Sequence, residues 1–499
     1  MFDDIKSLLK HGSIYTIGIL LNRAVAFIML PIYTRLLAPS EYGTLELLTL
    51  TTDLVSTIAG LGMTTAVMRY YYLYDDISQK NRSVSTAIIG NSMLFGLASI
   101  ICFSFSGSVS SLVFESQEYA PHFRIAFVSM FLSGSLEIPM IFIRAKQQSA
   151  RFIIINLASL LLQLSLNIYF LVGLRLGVMG ILYSTLISKF IFCSILVALT
   201  FRETGVGFDF GMYRSMLGYS VPLLFSGLSM FALTFSDRYF VEHYRDLTQV
   251  GLYSLAYKLG MLVSNLFTSP FVQIWSAKMF EIAKKEQGAR TISKIMTYFV
   301  LAILTISLAL SLLARDLLRV IADPSYLSAF QLVPLISFSY AIMGAYYIAS
   351  CGILIKNKTK YRGISTVVAM FVNIGLNFLL IPVWGGLGAA LSTLISFGVR
   401  FAIEYYYSQR YYPIKYEYGR ILLMLGLYVP LNLPVFFLRI DNRLLSIAAF
   451  GGIALLFPLF CYALGVLDKN EKEFVRRLLR NPIGALKILK NGLTEGGKS

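Results

Sequence analysis

Long apolar runs separated by short charged gaps set the pattern of this chain. Fourteen runs recur, at about 14–37, 44–63, 84–105, 123–143, 152–172, 178–200, 217–241, 250–270, 296–314, 330–355, 363–382, 386–407, 420–438 and 445–467. Each is close to the roughly 17–25 residues that carry an α-helix across a hydrocarbon core. A helix satisfies its backbone hydrogen bonds internally, as a lipid interior demands. The pattern predicts an all-α polytopic membrane protein of about 14 transmembrane helices. Almost all of the 499 residues fall in runs or short connectors, so no sizeable soluble domain is expected.

The runs also repeat. Ser184-Thr-Leu-Ile-Ser188 recurs 208 residues later as Ser392-Thr-Leu-Ile-Ser396. At the same offset Gly177 and Gly180 match Gly385 and Gly388, and Gly43, opening the second run, matches Gly251, opening the eighth. Leu166-Asn167 is echoed by Leu376-Asn377 with a two-residue gap. Six spans separate the copies, so both share one orientation, as in a parallel repeat about an axis along the membrane normal. The expected organisation is an N-terminal six-helix lobe (1–205), a C-terminal six-helix lobe (210–410), an extra helix pair (420–467) and a basic cytoplasmic tail (468–499). The segment 205–216 reads as the linker between lobes.

Composition changes this picture only through the placement of charge. The chain holds 43 Lys and Arg against 26 Asp and Glu, a net +17, yet is 57% hydrophobic with a mean hydropathy of +0.69. With both termini cytoplasmic, the inner segments carry 30 Lys and Arg and the outer connectors 8, leaving Arg23, Lys189, Arg238, Lys258 and Arg400 inside spans. Such a bias is the positive-inside rule at work, and it argues against nucleic acid as the reason for the charge. Residues 1–13 read as an amphipathic interfacial helix with Phe2, Ile5, Leu8 and Leu9 on one side, and the first span as an uncleaved signal. The stretch Glu471–Arg480 reads as a surface anchor in the same way.

Several chemistries are excluded. Cys102, Cys193, Cys351 and Cys461 are isolated in or beside apolar runs, without metal-ligand spacing or neighbouring His. His11, His122 and His243 lie on different connectors. Gly492-Leu-Thr-Glu-Gly-Gly497-Lys498-Ser499 matches a phosphate-loop pattern, but such a loop acts through the N-terminus of a following helix, and none follows. It is expected to be a flexible tail without ATPase activity. Asn81-Arg-Ser and Asn357-Lys-Thr match the glycosylation sequon on connectors assigned to the cytoplasm, and read as chance.

Charges at membrane depth are costly, about 2.5–3.5 kcal/mol even on the lenient insertion scale, so they face a partner or a water-filled cavity. Arg23 falls in the first span, Glu46 and Asp53 in the second, Asp237 and Arg238 in the seventh and Lys258 in the eighth. These are the first two helices of each lobe, where two lobes related by a pseudo-twofold would face each other. Arg23, Arg238 and Lys258 are the candidate substrate-binding cations. Glu46, Asp53 and Asp237 are candidates for ion coupling or for ion pairs that only hold helices together. Glu137, Lys189, Arg400 and Glu404 form a second set, in which Lys189 and Arg400 can snorkel towards headgroups. Arg144, Lys146 and Arg151, with Lys356, Lys358, Lys360 and Arg362 on the equivalent connector, read mainly as topology-setting charges, with attraction of an anionic headgroup as the lesser alternative. The 31 tyrosines cluster near span ends, where aromatic belts belong.

With these residues laid out, the chain resembles the polysaccharide transporter family of the multidrug/oligosaccharidyl-lipid/polysaccharide exporter superfamily, the Wzx-type flippases of O-antigen and capsule repeat units. The likeness rests on Leu30-Pro-Ile-Tyr-Thr-Arg-Leu-Leu37 with Ser40-Glu-Tyr-Gly43, and on Ser236-Asp-Arg238 with Val250-Gly-Leu-Tyr-Ser254. A third element is Asn377, Ile381-Pro382, Gly385 and Gly388-Ala-Ala. The resemblance covers about 14–410. It implies translocation of an undecaprenyl-pyrophosphate-linked oligosaccharide across a bacterial inner membrane, by alternating access around a central cationic cavity. It implies no enzyme activity and no cofactor, with proton or sodium coupling left open. Expected partners are the lipid-linked oligosaccharide, membrane lipids, and polysaccharide polymerase and chain-length machinery. A multidrug/cation antiporter of the same superfamily is disfavoured by the extra helix pair and the cationic residues. A peptidoglycan-precursor flippase is the nearest rival. A membrane-embedded glycosyltransferase or polymerase would need a large extramembrane loop or an acidic site, whereas the longest connector, about 271–295, is short and basic.

Overall fold

A computed structural model describes residues 29–438, 440–468 and 471–473. Among them twelve helices are long and apolar enough to cross a membrane. The fold is all-helical. The first expected span lies largely outside the described residues, with 29–36 helical at its end. The eighth is helical but interrupted. Leu247–Gly260 gives way to a widened π turn at Ser264–Thr268, and the helix resumes as Ser269–Ala283. Pro270 at the start of the resumed helix has no N–H to donate, so the turn before it loses a bond and loosens.

The second span is longer than its apolar run. It extends over Pro39–Leu73 and is broken once, where Leu61 and Gly62 both adopt left-handed backbone (φ 46° and 69°) between the helices Pro39–Gly60 and Met63–Leu73. By the 208-residue offset this break and the Ser269-Pro270 junction are equivalent positions. The second helix of each repeat copy is therefore interrupted at one place by two different devices. Other helix starts follow ordinary capping chemistry. Asp76, Asp209 and Asn442 accept from the backbone N–H of Gln79, Met212 and Leu445, opening Ile77–Ser104, Phe210–Phe235 and Arg443–Ala463.

The described residues fall into two compact units. The first holds the chain up to Lys258 together with Leu317–Leu332 and Thr359–Arg400. In it the helix Ala120–Ala145 packs against Ile77–Ser104 and Gly177–Thr204, and Lys360–Trp384 packs against Phe210–Phe235. One core cluster gathers Met63, Val67, Val84, Ile88, Phe142 and Met216. The second unit holds Leu259–Asp316, Val333–Lys358 and the chain from Phe401. There Tyr418–Asn432 packs on Arg443–Ala463, and Ser307, Ser311, Ser337 and Tyr428 join their hydroxyls in a buried cluster.

Within the first unit the repeat is visible as contacts. Gly43 and Gly251 meet at a helix crossing. A Cβ on Gly43 would stand 2.1 Å from the Leu247 carbonyl oxygen, and one on Gly251 would stand 1.9 Å from that of Pro39. Pro39 and Leu247 are themselves 208 residues apart, so the contact is its own mirror under the repeat. Gly177 and Gly385 behave alike, with φ of 54° and 55°. Their absent Cβ atoms would face the side-chain oxygens of Glu41 and Gln249, again a pair at that offset. Glycine is what lets the backbones approach this closely, and it turns left-handed without steric cost.

The segment Leu30–Leu37 is bound to the same end of the unit. Thr34 Oγ1 donates to the Ile321 carbonyl at 2.8 Å, Arg35 Nη2 donates to that of Val320, and Tyr326 OH donates to that of Leu37 at 3.0 Å. Thr34, Arg35 and Leu37, which carry the family resemblance, thus tie backbone together, while Tyr33 of the same stretch lines a cavity.

Candidate functional site: a charged cavity within the helix layer

A cavity of about 360 Å³ opens in the first unit between Pro39–Gly60, Ala120–Ala145, Ser149–Ile168 and Gly177–Thr204. That is the size range of small-molecule sites. Its charged residues are Glu46, Asp53 and Lys258, and its neutral polar wall includes Thr49, Thr52 and Gln163. Glu46 and Asp53 sit seven residues apart on one helix, two turns on the same face, which is why one wall presents both.

Lys258 and Glu46 form an ion pair, Nζ to Oε2 at 2.6 Å. The ammonium also donates to Tyr42 OH at 2.9 Å and lies 4.9 Å from the Tyr42 ring centroid. Lys258 is 44% exposed into the cavity while Glu46 is nearly covered. Asp53 is open to the cavity, and among the described residues its carboxylate has no hydrogen-bond or ion-pair partner. Gln163 Nε2 donates to Thr185 Oγ1 at 3.1 Å across two helices of the wall. The threonines Thr49, Thr52 and Thr185 donate to backbone carbonyls one turn back, at Leu45, Leu48 and Ile181, which leaves oxygen lone pairs available to a guest.

Asp237 and Arg238 are placed differently. Both are 1% exposed and pair with each other at 2.6 Å. Arg238 Nη1 also donates to the Thr234 carbonyl, and its guanidinium lies 3.8 Å from the Tyr257 ring centroid and 5.0 Å from that of Tyr253. Asp237 Oδ2 accepts from Tyr253 OH. The pair is thus enclosed by aromatic rings and does not line the cavity. Arg23 lies outside the described residues.

A second cavity, of about 350 Å³, adjoins the first, with Ser133 in the wall of both. Glu137, Arg144 and Lys189 line it, with Phe152, Asn156 and Ser159. Tyr42, Gln163 and this second set were not singled out as site residues by sequence. Tyr42 does belong to the Ser40-Glu-Tyr-Gly43 motif, but a motif does not say which face its tyrosine takes.

A profile of the family described as polysaccharide biosynthesis protein matches residues 32–331. The probable low-salt glycan biosynthesis flippase Agl15 of Haloferax volcanii is 22% identical over 214 residues, 42% of this chain and 44% of that protein. The chain spans about half the length of the curated relatives it matches first. Among solved structures, the lipid II flippase MurJ in an inward closed conformation superposes with a TM-score of 0.72 at 14% identity, covering 90% of this chain and 98% of that one. An inward-facing multidrug resistance MATE transporter of the MOP superfamily gives 0.64 at 16%, covering 77% and 93%. These two show a shared fold. The profile match covers more than half of the residues and contains both the charged cavity and the Gly43–Gly251 crossing: the chain belongs to the polysaccharide biosynthesis protein family.

Proposed function

We propose that the chain is a flippase for lipid-linked glycans, moving an undecaprenyl-pyrophosphate-linked oligosaccharide repeat unit of O-antigen or capsule type from the cytoplasmic to the outer leaflet of a bacterial inner membrane. The observation that carries this reading is the charged, hydroxyl-lined cavity inside an otherwise apolar helix layer. A sugar headgroup must leave water to cross, and such a wall replaces the hydrogen bonds it gives up. Two six-helix lobes, 1–205 and 210–410, would rock against each other, the first carrying the cavity and the second supplying Lys258 to it, with both termini cytoplasmic.

On this reading Arg23, Arg238 and Lys258 are the cations that meet the pyrophosphate. Attraction to phosphate oxygens grows as the effective dielectric falls, and arginine stays charged when buried. Lys258 is the one that lines the cavity described here. An anion would draw it from Glu46, and Arg238 would have to be released by Asp237. Glu46, Asp53 and Asp237 then serve as exchange partners, or as carriers of a coupling proton or sodium ion. In a cell dependent on this protein, Arg23→Ala, Arg238→Ala or Lys258→Ala should cut surface polysaccharide at matched protein level, with Arg→Lys rescuing only partly. Full surface glycan with all three variants would overturn the anionic-substrate reading.

A second reading has one observation in its favour. The superposition on the lipid II flippase covers nearly the whole of that chain. Transport of a peptidoglycan precursor would use the same cavity. Rescue of a strain depleted of its own lipid II flippase would favour it, and rescue of an O-antigen or capsule flippase deletion alone would favour the first.

A further inference from the structure

The cations of the first cavity and of the aromatic cage already have protein partners. Lys258 gives its hydrogen bonds to Glu46 and Tyr42, and Arg238 gives bonds to Asp237 and Thr234. The second cavity differs. Among the described residues the side chains of Lys189 and Arg144 make no hydrogen bond and no ion pair. Lys189 feels the charge of Glu137 without touching it, and Arg144 has only the Phe152 ring, 5.6 Å away. An ammonium carries three donors and a guanidinium five, so a large set of charged donors faces one cavity of about 350 Å³ unused.

Sequence placed these residues apart, Lys189 as a snorkelling lysine and Arg144 as a topology charge. In the fold they come from different helices, Gly177–Thr204 and Ala120–Ala145, and line the same space. With one carboxylate and two cations the cavity carries a net charge of +1, whereas the first cavity, with Glu46 and Lys258 cancelling, keeps the −1 of Asp53. The two adjoin at Ser133. A ligand with an anionic end and a sugar end fits this polarity in one orientation. Its phosphates lie at Lys189 and Arg144, and its sugar hydroxyls reach Asp53 and the threonine wall, since a carboxylate accepts from hydroxyls.

We propose that the cavity lined by Arg144, Lys189 and Glu137 is a diphosphate station, the place where the anionic end of a lipid-linked substrate docks from the 144–151 side before Lys258 is engaged. The proposal rests on the flippase reading. The guanidinium fork and the mobile ammonium together suit two linked phosphates. Glu137 keeps the site from holding them too firmly, because it competes for Lys189. Phosphodiester headgroups of ordinary anionic lipids offer similar chemistry, so the test separates the two sources.

The full chain in nanodiscs of phosphatidylcholine is titrated with undecaprenyl pyrophosphate, and separately with phosphatidylglycerol. Arg144→Gln/Lys189→Gln should weaken undecaprenyl pyrophosphate at least tenfold, inorganic pyrophosphate should compete, and Glu137→Gln should tighten binding severalfold. A gain of affinity in Glu137→Gln cannot come from misfolding. Wild-type binding that the double variant leaves unchanged would overturn the station and leave the flippase reading standing. Phosphatidylglycerol binding with the same dependence on Arg144 and Lys189 would make it a lipid-headgroup site and overturn the substrate assignment. No binding of undecaprenyl pyrophosphate by the wild-type chain would sink the flippase reading itself.

Discussion

Lys258 Nζ lies 2.6 Å from Glu46 Oε2, and this contact joins the second helix of one repeat copy to the second helix of the other. It lies about one turn along from the glycine crossing on the first helix, from Gly43 to Glu46, and two turns along on the second, from Gly251 to Lys258. One pair of helices thus carries both a steric and an electrostatic link between the copies.

Removing Lys258 should leave Glu46, which is 9% exposed, without its cation. Lys258→Ala is expected to lower stability by about 1–3 kcal/mol, the scale of a charge-assisted bond left unmade. The double variant Glu46→Ala/Lys258→Ala should recover part of that loss. Denaturation of detergent-purified protein measures the cycle, and simple additivity would show that the pair contributes no coupling.

Gly43→Ala and Gly251→Ala should each cost about 1–3 kcal/mol by overpacking, because each new methyl meets a backbone carbonyl that cannot rotate away. Both methyls push the same two helices apart. The second substitution should therefore cost less than the first, and melting temperatures of the two single variants and the double variant test this. Equal, additive losses would mean that the two glycines do not share one crossing.

Glu242, just past the seventh run (217–241) on the helix Asp237–Tyr244, carries a pH dependence. Burial, and next the nearby Glu115 carboxylate, push the Glu242 carboxyl up to about 7, with His243 opposing. His243 Nδ1 lies 2.8 Å from Glu115 Oε1, and Arg245 donates to the Pro382 and Val383 carbonyls. The helix Lys360–Trp384, packed on the other side, has its charges only at Lys360 and Arg362. A carboxyl whose pKa is raised by folding contributes stability that is whole below the unfolded value near 4.5. It is lost as pH rises through about 7. Between pH 5 and 8 the wild type should therefore lose more in melting temperature than Glu242→Gln, whereas parallel curves would show that Glu242 titrates normally.

Reporter fusions placed after residues 75, 147, 285 and 358 should report cytoplasm, and those near 117, 245 and 323 the opposite side. An inverted result at both sets would reverse the orientation drawn from the basic connectors.

Most of the helix pattern was legible because hydropathy and helix length are set by the bilayer rather than by packing. The break at Leu61-Gly62 was hidden at the end of an apolar run, where two glycines around Leu61 pass as an ordinary span boundary. Pro270 gave a signal at the equivalent place, but a proline near a span end is common enough to pass as a boundary. The matching of Gly43 with Gly251 could be read from the offset. That the two glycines touch could not, because a repeat fixes equivalence and not proximity. The site was less legible still. Lys258 and Arg238 look alike in sequence, yet one faces a cavity and the other sits under tyrosine rings, a difference made by the face that each takes on its own helix. Lys189 and Arg144 come together only through the packing of Gly177–Thr204 on Ala120–Ala145, 45 residues apart along the chain.

The glycine crossing also sets an order of events during synthesis. Gly43 and Gly251 are separated by 208 residues, and a ribosome adding about 5–20 residues per second needs about 10–40 s to cover that interval. For that time the helix face around Gly43 has lipid or solvent where the Leu247 carbonyl will later stand. The early helices can settle among themselves, with Met63–Leu73 folding back on the neighbouring Ile77–Ser104 at short loop cost. The end that carries Gly43 stays unfinished until the eighth span has been made. A nascent chain halted before Leu247 should therefore be susceptible at Pro39–Gly43 to reagents and proteases that the completed protein resists.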